Sequence, residues 1–436
     1  MSLVEEIAAG VLNACRDNGL LEKARIAAAD TLAVTGAGYH LAKVKPGYSS
    51  VGTGPGVIIG SGDKTYPPIA VGVNGFLAHS LELDDWLPQG FIHAGSAVIP
   101  SALIAGLEFD VSLQRFLEAV VAGYQAGYMI GGLLGRSHYT IWHTTSTAGI
   151  TASAVASSIV RYGCREDVIP RLIVLGLNYM GGLWSLPKGD PSIKPASAMH
   201  AASSGYLLSL LGGEEFRVVN VSGDACKVFH GSCEVLPRGF ALDLNGYKLY
   251  PSCRHTHPSL DAVMDLLEKH GFTPEEVKSV VVETYSDAVD KATRSAFPST
   301  VEDARFNLGF LVSVAIVYRD VWFDTIEKGL SDPVVKELFN KVKVRANKSF
   351  DNVYPRKTPA EVTVELESGA KVSSNVDYPR GTPETGVGTR EILAKAAKLS
   401  RYTGDTLIGA MVRSIIENPL GSKLAEAIPY AKVRTA

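Results

Sequence analysis

Residues 119–135 are among the most apolar stretches of the chain and contain no charged side chain between Glu118 and Arg136. A membrane span needs about 20 predominantly apolar residues, whereas this stretch contains several glycines and the amide of Gln125. Over residues 113–124, apolar side chains recur at i, i+3, i+4 and i+7, which is typical of one buried helical face. The sequence therefore predicts a buried helix inside a large globular protein.

Composition narrows the class of protein further. The 436 residues suggest two or three domains, and 46% apolar against 20% charged residues argues against disorder. The net charge of −3 comes without a basic stripe, so neither a nucleic acid nor a membrane is expected as a partner. Five scattered cysteines are too few for a disulfide framework, and the N-terminal MSLVEEIAAG is acidic where a signal peptide would be basic. These features predict a cytoplasmic protein.

The order of secondary-structure patterns predicts a mainly α fold with an α+β part. Helical periodicity marks 4–17, 20–36, 144–162, 193–211, 258–270, 304–320, 389–400 and 405–417. Strand patterns mark 279–285, 342–345, 362–366 and 371–376, the last two flanking the turn Ser368-Gly369 as a hairpin. We expect three segments, a helical domain at 1–243, an α+β domain at 244–380, and a return to the helical domain at 381–436.

The first cluster of polar side chains lies in HSLELDDW, which contains His79, Glu82, Asp84 and Asp85, with His93 following. His93 directly precedes a predicted helix, where free backbone N–H groups and the helix dipole favour an anionic ligand. The alternative is an acidic capping cluster on a solvated turn.

Two further clusters also stand before predicted helices. His143 precedes a run of hydroxyl side chains, TTST, and Lys194 precedes Pro195, a residue favoured in the first turn of a helix. A lysine opposes the helix dipole there, so it is either solvated or held for an anionic partner. The hydroxyl run is alternatively a plain helix cap beside an incidental histidine.

The segment YPSCRHTHP contains Cys253, Arg254, His255 and His257. The cysteine and the two histidines are possible metal ligands, but their spacing does not match the common zinc or iron–sulfur patterns, so we predict no metal site. Arg305 and Tyr378-Pro379-Arg380 offer guanidinium groups that could bind carboxylates in a bidentate manner. The glycine-rich 52–62 lacks the βαβ context of a dinucleotide site, and GxSxG and P-loop motifs are absent.

Taken in order, these segments resemble the MmgE/PrpD family, which includes 2-methylcitrate dehydratase, cis-aconitate decarboxylase and an iminodisuccinate epimerase. The resemblance is carried by NGFLAHSLELDDW with HAGSAVIPSALIAG, then HTTSTAG, IKPASAMHAASSG, KLYPSCRHTHPSLDA, EDARFNLGF and YPRGTP. It implies a large all-helical domain formed by both chain ends, a smaller α+β lid domain, a cleft between them, and a homodimer that needs no metal or organic cofactor.

The resemblance also implies the residues of an active site. Catalytic positions are Asp84, Asp85, His93, His143, Lys194 and His257, and substrate-binding positions are Glu82, Trp86, Arg254, Arg305 and Arg380. Four residues depart from the family pattern: Glu82 replaces Asp, Trp86 replaces Thr or Gly, Ala94 replaces Pro, and Asn307 replaces Ser. We expect the changes at Glu82 and Trp86 to reshape the substrate pocket.

The expected reaction is dehydration of a 2-methylcitrate-like hydroxy-tricarboxylic acid, with a proton abstracted beside a carboxylate. His93 and His257 would exchange protons, the acidic residues would orient a histidine or act as base, and Lys194, Arg254 and His143 would hold substrate carboxylates. Decarboxylation of a cis-aconitate-type acid and epimerisation or isomerisation of a dicarboxylate remain alternatives. A metal-binding protein or a non-catalytic paralogue is the other class.

Overall fold

The computed structural model describes residues 2–433, most of which are helical. The helices are α1 (Leu3–Cys15), α2 (Leu21–Leu41), α3 (Pro67–His79), α4 (Ala94–Glu108), α5 (Leu113–Tyr139), α6 (Thr144–Tyr162), α7 (Ile169–Asn178), α8 (Ser185–Gly189), α9 (Ala196–Ser209), α10 (Ser222–Val228), α11 (Ala241–Leu244), α12 (His257–His270), α13 (Ser286–Ala292), α14 (Val301–Ala304), α15 (Leu308–Tyr318), α16 (Phe323–Gly329), α17 (Pro333–Lys341), α18 (Lys348–Asp351), α19 (Thr389–Thr403), α20 (Thr406–Glu417) and α21 (Leu424–Ala427). The predicted fold class, mainly α with an α+β part, is confirmed.

The strands form one four-stranded sheet and two short ribbons. They are β1 (Gly56–Val57), β2 (Lys64–Thr65), β3 (Asp85–Trp86), β4 (Gly246–Tyr247), β5 (Val277–Thr284), β6 (Val342–Ala346), β7 (Ala360–Leu366) and β8 (Lys371–Val376). The larger sheet has the order β6-β5-β7-β8, in which β5 and β6 are parallel and the other pairs antiparallel. The predicted hairpin is the β7–β8 pair, and Gly369 in its turn has a φ of +84°, where glycine carries no steric penalty.

The chain divides into two compact units. Unit 1 consists of the described residues of Met1–Gly189, Ile193–Tyr247 and Val387–Ala436, and unit 2 consists of Asp190–Ser192 and Lys248–Gly386. Unit 1 is helical apart from the ribbons β1–β2 and β3–β4, and unit 2 contains the four-stranded sheet. The domain ranges drawn from the sequence, and the lid role given to the second domain, stay predictions.

The core of unit 1 is built from helices with small side chains. α6 packs against α4, α5 and α9, and almost every residue of α6 is buried. A Cβ atom at Gly205 of α9 would overlap the carbonyl oxygen of Ile150, so α6 and α9 approach at backbone distance. The segment 119–135, which has no charged side chain, lies within α5. The chain of α5 bends at Gly135, which has a φ of +70°. Among the described residues, no helix combines the length and apolarity that crossing a membrane would require.

Unit 2 packs α12, α15 and α17 against its sheet. Val280 and Val282 of β5 and Val362 and Val364 of β7 face this core and are fully buried. The helix predicted over 304–320 is shorter than expected and begins at Leu308. The cause is Asn307, whose side chain accepts a hydrogen bond from Phe310 N at 3.2 Å and caps the new helix.

The cysteines differ from expectation. Cys15 pairs with Cys164 and Cys226 pairs with Cys233, which leaves Cys253 as a buried free thiol. The expectation that the cysteines are too few for a disulfide framework was therefore wrong, because four of the five cysteines are placed in disulfides. Dispersed cysteines give no sign of pairing in sequence, since a disulfide forms only where the fold brings two cysteines close enough with suitable geometry.

Candidate active site

Three helices of unit 1 begin at predicted site residues. His93 and His143 are the N-cap residues of α4 and α6, and Lys194 precedes Pro195, the N-cap of α9. Neither histidine side chain caps its helix, so both rings are available for other contacts. The backbone N–H of His93 donates to Thr145 Oγ1 at 3.1 Å, which brings the starts of α4 and α6 together. Their combined positive dipole ends favour a bound anion.

Asp84 is a fully buried carboxylate between two imidazole rings. Its Oδ2 lies 2.6 Å from His79 Nδ1 and 3.4 Å from His93 Nδ1. His93 Nδ1 also lies 2.7 Å from the carbonyl oxygen of Asp85. A carbonyl only accepts, so His93 Nδ1 carries a proton, and in the neutral ring Nε2 carries the basic lone pair.

Asp85, although adjacent in sequence, faces a different environment. Its carboxylate accepts from Tyr124 OH at 2.7 Å and from Gly95 N at 3.1 Å, in the first turn of α4. Complete burial raises the pKa of Asp85 to about 7, against the lowering effect of the Tyr124 hydrogen bond. Asp85 is thus engaged in holding the start of α4, and Asp84 is the carboxylate that contacts the histidines.

Glu82 and Lys194 form a buried ion pair between Lys194 Nζ and Glu82 Oε1. Their side chains are only 5% and 2% exposed, so little water screens the pair. Glu82 also has a φ of +51°, a left-handed conformation that costs energy in a residue other than glycine. The sequence predicts a lysine held for substrate carboxylates, whereas here its charge is already matched by Glu82.

His143 is buried beside aromatic rings and other site residues. Its ring centroid lies 4.5 Å from that of Trp184 and 5.8 Å from that of His79. Burial, aided by the charge of Lys194, holds the pKa of His143 well below its usual range. His143 is thus a neutral side chain, suited to hydrogen bonding rather than to acting as a cation.

Aromatic side chains fill one side of this cluster. The Trp86 ring lies 5.0 Å from the His93 ring and 6.3 Å from the Tyr139 ring, and Tyr139 in turn contacts Trp184 at 5.5 Å. The structure therefore brings together Glu82, Asp84, Trp86, His93, His143 and Lys194 within unit 1. Asp85 borders this group with its side chain turned toward Tyr124.

The predicted residues of unit 2 form their own network. Arg254 NH1 donates to His257 Nδ1 at 3.0 Å, so the second ring nitrogen, Nε2, holds the proton and donates to Ser252 O at 3.3 Å. Arg254 also donates to the carbonyl of Arg380 at 3.0 Å. Burial lowers the pKa of the Arg254 guanidinium to about 10.

The two remaining arginines have separate surroundings in unit 2. Arg380 Nε lies 2.8 Å from Asp261 Oδ1, and Arg380 NH2 contacts the hydroxyl of Tyr250. The buried Arg305 places its guanidinium 5.5 Å from the ring centroid of Phe323, and its backbone carbonyl accepts from Cys253 N at 2.9 Å.

The possible metal ligands of YPSCRHTHP point to different partners. His255 Nδ1 contacts Tyr285 OH at 2.7 Å, while His257 Nδ1 accepts from Arg254. Among the described residues, the ligand-type group that does come together is His79, Asp84 and His93, with its atoms within 4.8 Å of one another. In both histidines of that group Nδ1 contacts an oxygen atom, so the three side chains form a hydrogen-bonded cluster.

Sequence reasoning missed three residues of the unit 1 cluster as members of the site. His79 belongs to the first polar cluster of the sequence, five residues before Asp84, but was assigned no role in the active site. Tyr124 lies on the predicted buried face of α5 and gave no polar signal, and Trp184 stands in a connecting segment. Their roles follow from helix packing.

Comparisons with known proteins agree with these motifs. The profile of the MmgE/PrpD N-terminal domain matches residues 5–217, and that of the MmgE/PrpD C-terminal domain matches residues 250–416. Similar proteins include a cis-aconitate decarboxylase of Aspergillus terreus, 22% identical over 365 residues, covering 75% of this chain and 73% of that protein. A cis-aconitate decarboxylase of Aspergillus terreus strain NIH 2624 / FGSC A1156 is 23% identical over 368 residues, with the same coverage.

Proposed function

The chain belongs to the MmgE/PrpD family, and on that premise we propose that it is a lyase acting on a tricarboxylic acid. The first candidate reaction is dehydration of a 2-methylcitrate-like hydroxy-tricarboxylic acid by side chains alone. The observation that carries the proposal is the placement of His93, whose Nδ1 is fixed by Asp84 and the Asp85 carbonyl at the start of α4. A fixed, buried imidazole beside a helix N-terminus suits proton transfer next to a substrate carboxylate.

The chemistry proceeds by loss of a proton and of a hydroxide. His93 Nε2 accepts the proton from the carbon beside a carboxylate, and Asp84 stabilises the imidazolium that forms. The hydroxyl on the neighbouring carbon leaves as water after receiving a proton from a second group, and the carbon–carbon double bond forms. We assign that second proton transfer to His257, and carboxylate binding to Arg254, Arg305 and Arg380, as parts of the proposal.

Substrate charge needs compensation during this reaction. Each preorganised donor is typically worth about 3–4 kcal/mol of barrier height, so several must act together. In unit 1 they are the helix N-termini at His93 and His143 and the ammonium of Lys194, which a substrate carboxylate would share with Glu82. Trp86 narrows the space beside His93, which favours a compact substrate.

Decarboxylation of a cis-aconitate-type acid is the second candidate. It is favoured by the two Aspergillus relatives, whose names state that activity. The same histidine would then protonate the carbanion left after CO₂ departs. Epimerisation of a dicarboxylate would need removal of a proton from the carbon beside a carboxylate and return of a proton to the opposite face of that carbon, without a leaving group.

One experiment separates these reactions. Purified protein is incubated in deuterated buffer with citrate, 2-methylcitrate, cis-aconitate and a tartrate-type acid, and the products are followed by NMR. Dehydration gives an enoate from a hydroxy acid, decarboxylation gives CO₂ and a deuterated methylene, and epimerisation gives deuterium without a change of skeleton. Absence of turnover and of deuterium incorporation with all four acids would reject the proposal. A chelator control tests the absence of a metal requirement.

The proposal includes a homodimer. Of the large apolar side chains exposed on the described residues, most lie between Tyr179 and Val235, among them Leu186 at 57%, Val228 at 66% and Val235 at 71%. A contiguous apolar patch is typical of a protein interface, and we propose that these side chains form one. We expect light scattering to give a dimer for the native chain and a monomer for the double variant V228E/V235E. A monomeric native chain would contradict this.

A cytoplasmic location is the last part of the proposal, and cell fractionation tests it. Alkylation of intact cells before lysis, followed by mass spectrometry, reports whether Cys15–Cys164 and Cys226–Cys233 are formed where the protein works. Cofractionation with a cytoplasmic marker supports the location, whatever the redox state. Recovery from an extracytoplasmic fraction would contradict it.

A further inference from the structure

His79 is a buried titratable residue to which the proposed chemistry gives no role. It is the last residue of α3 and is completely inaccessible to solvent. Its ring lies 4.8 Å from the ring of His93 and 5.8 Å from that of His143, at an interplanar angle of 23° to the latter. His79 thus touches both histidines of the unit 1 site.

The hydrogen bonds of His79 fix its tautomer. Asp84, as a carboxylate, only accepts, so His79 Nδ1 donates its proton across the 2.6 Å contact. His79 Nε2 is buried without a hydrogen-bond partner. An unpaired lone pair at that position costs less than an unpaired N–H, so the neutral ring protonated at Nδ1 is the stable form. Burial and the charge of Lys194 lower the pKa of His79, against Asp84 and Glu82, which raise it.

Asp84 Oδ2 is shared between the two rings. The oxygen that accepts from His79 at 2.6 Å also lies 3.4 Å from His93 Nδ1. The shorter contact determines where the carboxylate sits, because a charge-assisted hydrogen bond of that length resists rotation of the side chain. Loss of the His79 donor would free Asp84 to move toward His93.

We propose that His79 is a positioning residue for proton transfer at His93, acting through Asp84. It makes no contact with the reacting atoms in this role. By donating to Asp84, it keeps the carboxylate at a fixed distance from His93 and limits how strongly that carboxylate holds the imidazolium. The proposal deepens the proposed function and rests on it for the measurements of activity.

Two substitutions separate positioning from packing. In H79N the amide nitrogen takes the place of Nδ1 and can still donate to Asp84, whereas in H79Q the amide reaches the place of Nε2 and leaves Asp84 without its donor. With whichever acid the native enzyme turns over, we expect kcat of H79N within about threefold of native and kcat of H79Q lower by about tenfold or more. The acid limb of the kcat/KM profile should move to higher pH in H79Q alone, because an unsupported Asp84 strengthens proton binding by His93. Equal losses in both variants, or native profiles in both, overturn the proposal.

A measurement on the native protein decides the matter even if H79Q fails to fold or no substrate is found. In protein labelled with ¹⁵N-histidine, His79, assigned by its absence in H79N, should show a protonated Nδ1 and an unprotonated Nε2 from pH 6 to 8. D84N should shift the Nδ1 proton signal of His79 upfield, since the carboxylate acceptor is lost. The Nε2–H tautomer in the native protein overturns the proposal. Because this measurement needs no turnover, its outcome is independent of the proposed function.

Discussion

The adjacent residues Asp84 and Asp85, at the ribbon β3–β4, have different roles because their side chains point in different directions. Asp84 contacts His79 and His93, whereas Asp85 accepts from Tyr124 and from Gly95 at the start of α4. The environment of each carboxylate, and not its place in the motif, determines its chemistry. At the residue scale, substitutions of His93, of Asp85 and of the Glu82–Lys194 pair test the contacts of this site.

His93 is the residue whose loss should affect catalysis most directly. In H93N the amide nitrogen can replace Nδ1 as donor to the Asp85 carbonyl, while the basic Nε2 is removed. We expect kcat to fall at least about a hundredfold with little change in the melting temperature. His200 is an exposed histidine on α9. H200N is therefore the matched control and should keep the native kcat. Native kcat in H93N would remove His93 from the reaction.

Asp85 should make stability depend on pH in a defined direction. Its folded pKa of about 7 lies above the ordinary value of 3.8, so the folded protein keeps a proton that the unfolded chain releases between these values. Raising the pH from about 4 to about 7 therefore favours unfolding, by at most about 4 kcal/mol, and the penalty is constant above that range. D85N lacks this penalty. The melting temperature of D85N relative to that of the native protein should therefore rise from pH 4 to 7 and stay constant above pH 7. A pH-independent difference would contradict this.

Glu82 should set how strongly Lys194 attracts a substrate carboxylate. E82Q removes the negative partner of the buried pair, so we expect KM for a tricarboxylate to fall by about tenfold, which corresponds to about 1.4 kcal/mol. The fall should be smaller for a dicarboxylate. K194A should raise KM steeply and also lower kcat. A higher KM in E82Q would mean that Glu82 positions Lys194 and does not compete for it.

At the scale of secondary-structure elements, close contact between α6 and α9 places two of the three site helices. Their small side chains predict a close approach, and Gly205 lies against the backbone of Ile150. The helix starts carrying His143 and Lys194 are fixed by this packing. A change in the crossing of these helices would therefore reach the site.

Gly205 tests that packing. G205A places a Cβ against the Ile150 carbonyl and Ser153, and we expect a loss of about 2–3 kcal/mol in the free energy of unfolding. G223A in α10 is the matched control, because no atom lies within 4 Å of its added Cβ. Alanine favours the helix there, so stability should be equal or slightly higher. Equal stability of the two variants in denaturant would show that α6 and α9 can separate at no cost.

At the scale of the whole molecule, α19 in the C-terminal part of unit 1 supports the segment between Glu82 and Asp84. Lys395 of α19 donates to Asp30 of α2 at 2.6 Å and to the carbonyl of Leu83 at 2.7 Å. Lys395 and Asp30 are 4% and 0% exposed at their side chains. The contact connects residues 365 positions apart and holds the backbone beside Asp84.

Breaking this contact should therefore affect both stability and catalysis. K395M removes the ammonium that contacts the buried Asp30 carboxylate and the Leu83 carbonyl, so we expect a loss of about 3–5 kcal/mol, together with a lower kcat from movement of Leu83. R401M, an exposed position on the same helix, should behave like the native protein. The double variant K395M/D30N should regain part of the melting temperature, since the carboxylate that Lys395 neutralises is then replaced by a neutral amide. Failure to regain any would mean that the pair is not the source of the loss.

Local sequence determined the elements of this protein and most of the residues proposed to carry its chemistry. Periodicity predicted α6 and the β7–β8 hairpin within a few residues, because apolar spacing and turn residues act over short distances. Motifs identified His93, His143 and Lys194 at helix starts, since such positions are local too.

Only the tertiary structure decided which side chains contact one another. The pairing of Lys194 with Glu82, the turn of Asp85 toward Tyr124, and the disulfide Cys15–Cys164 all join residues far apart in the chain. The physical reason is that hydrogen bonds, charges and burial act through space. Their effects on pKa and position depend on helix packing that no single segment encodes.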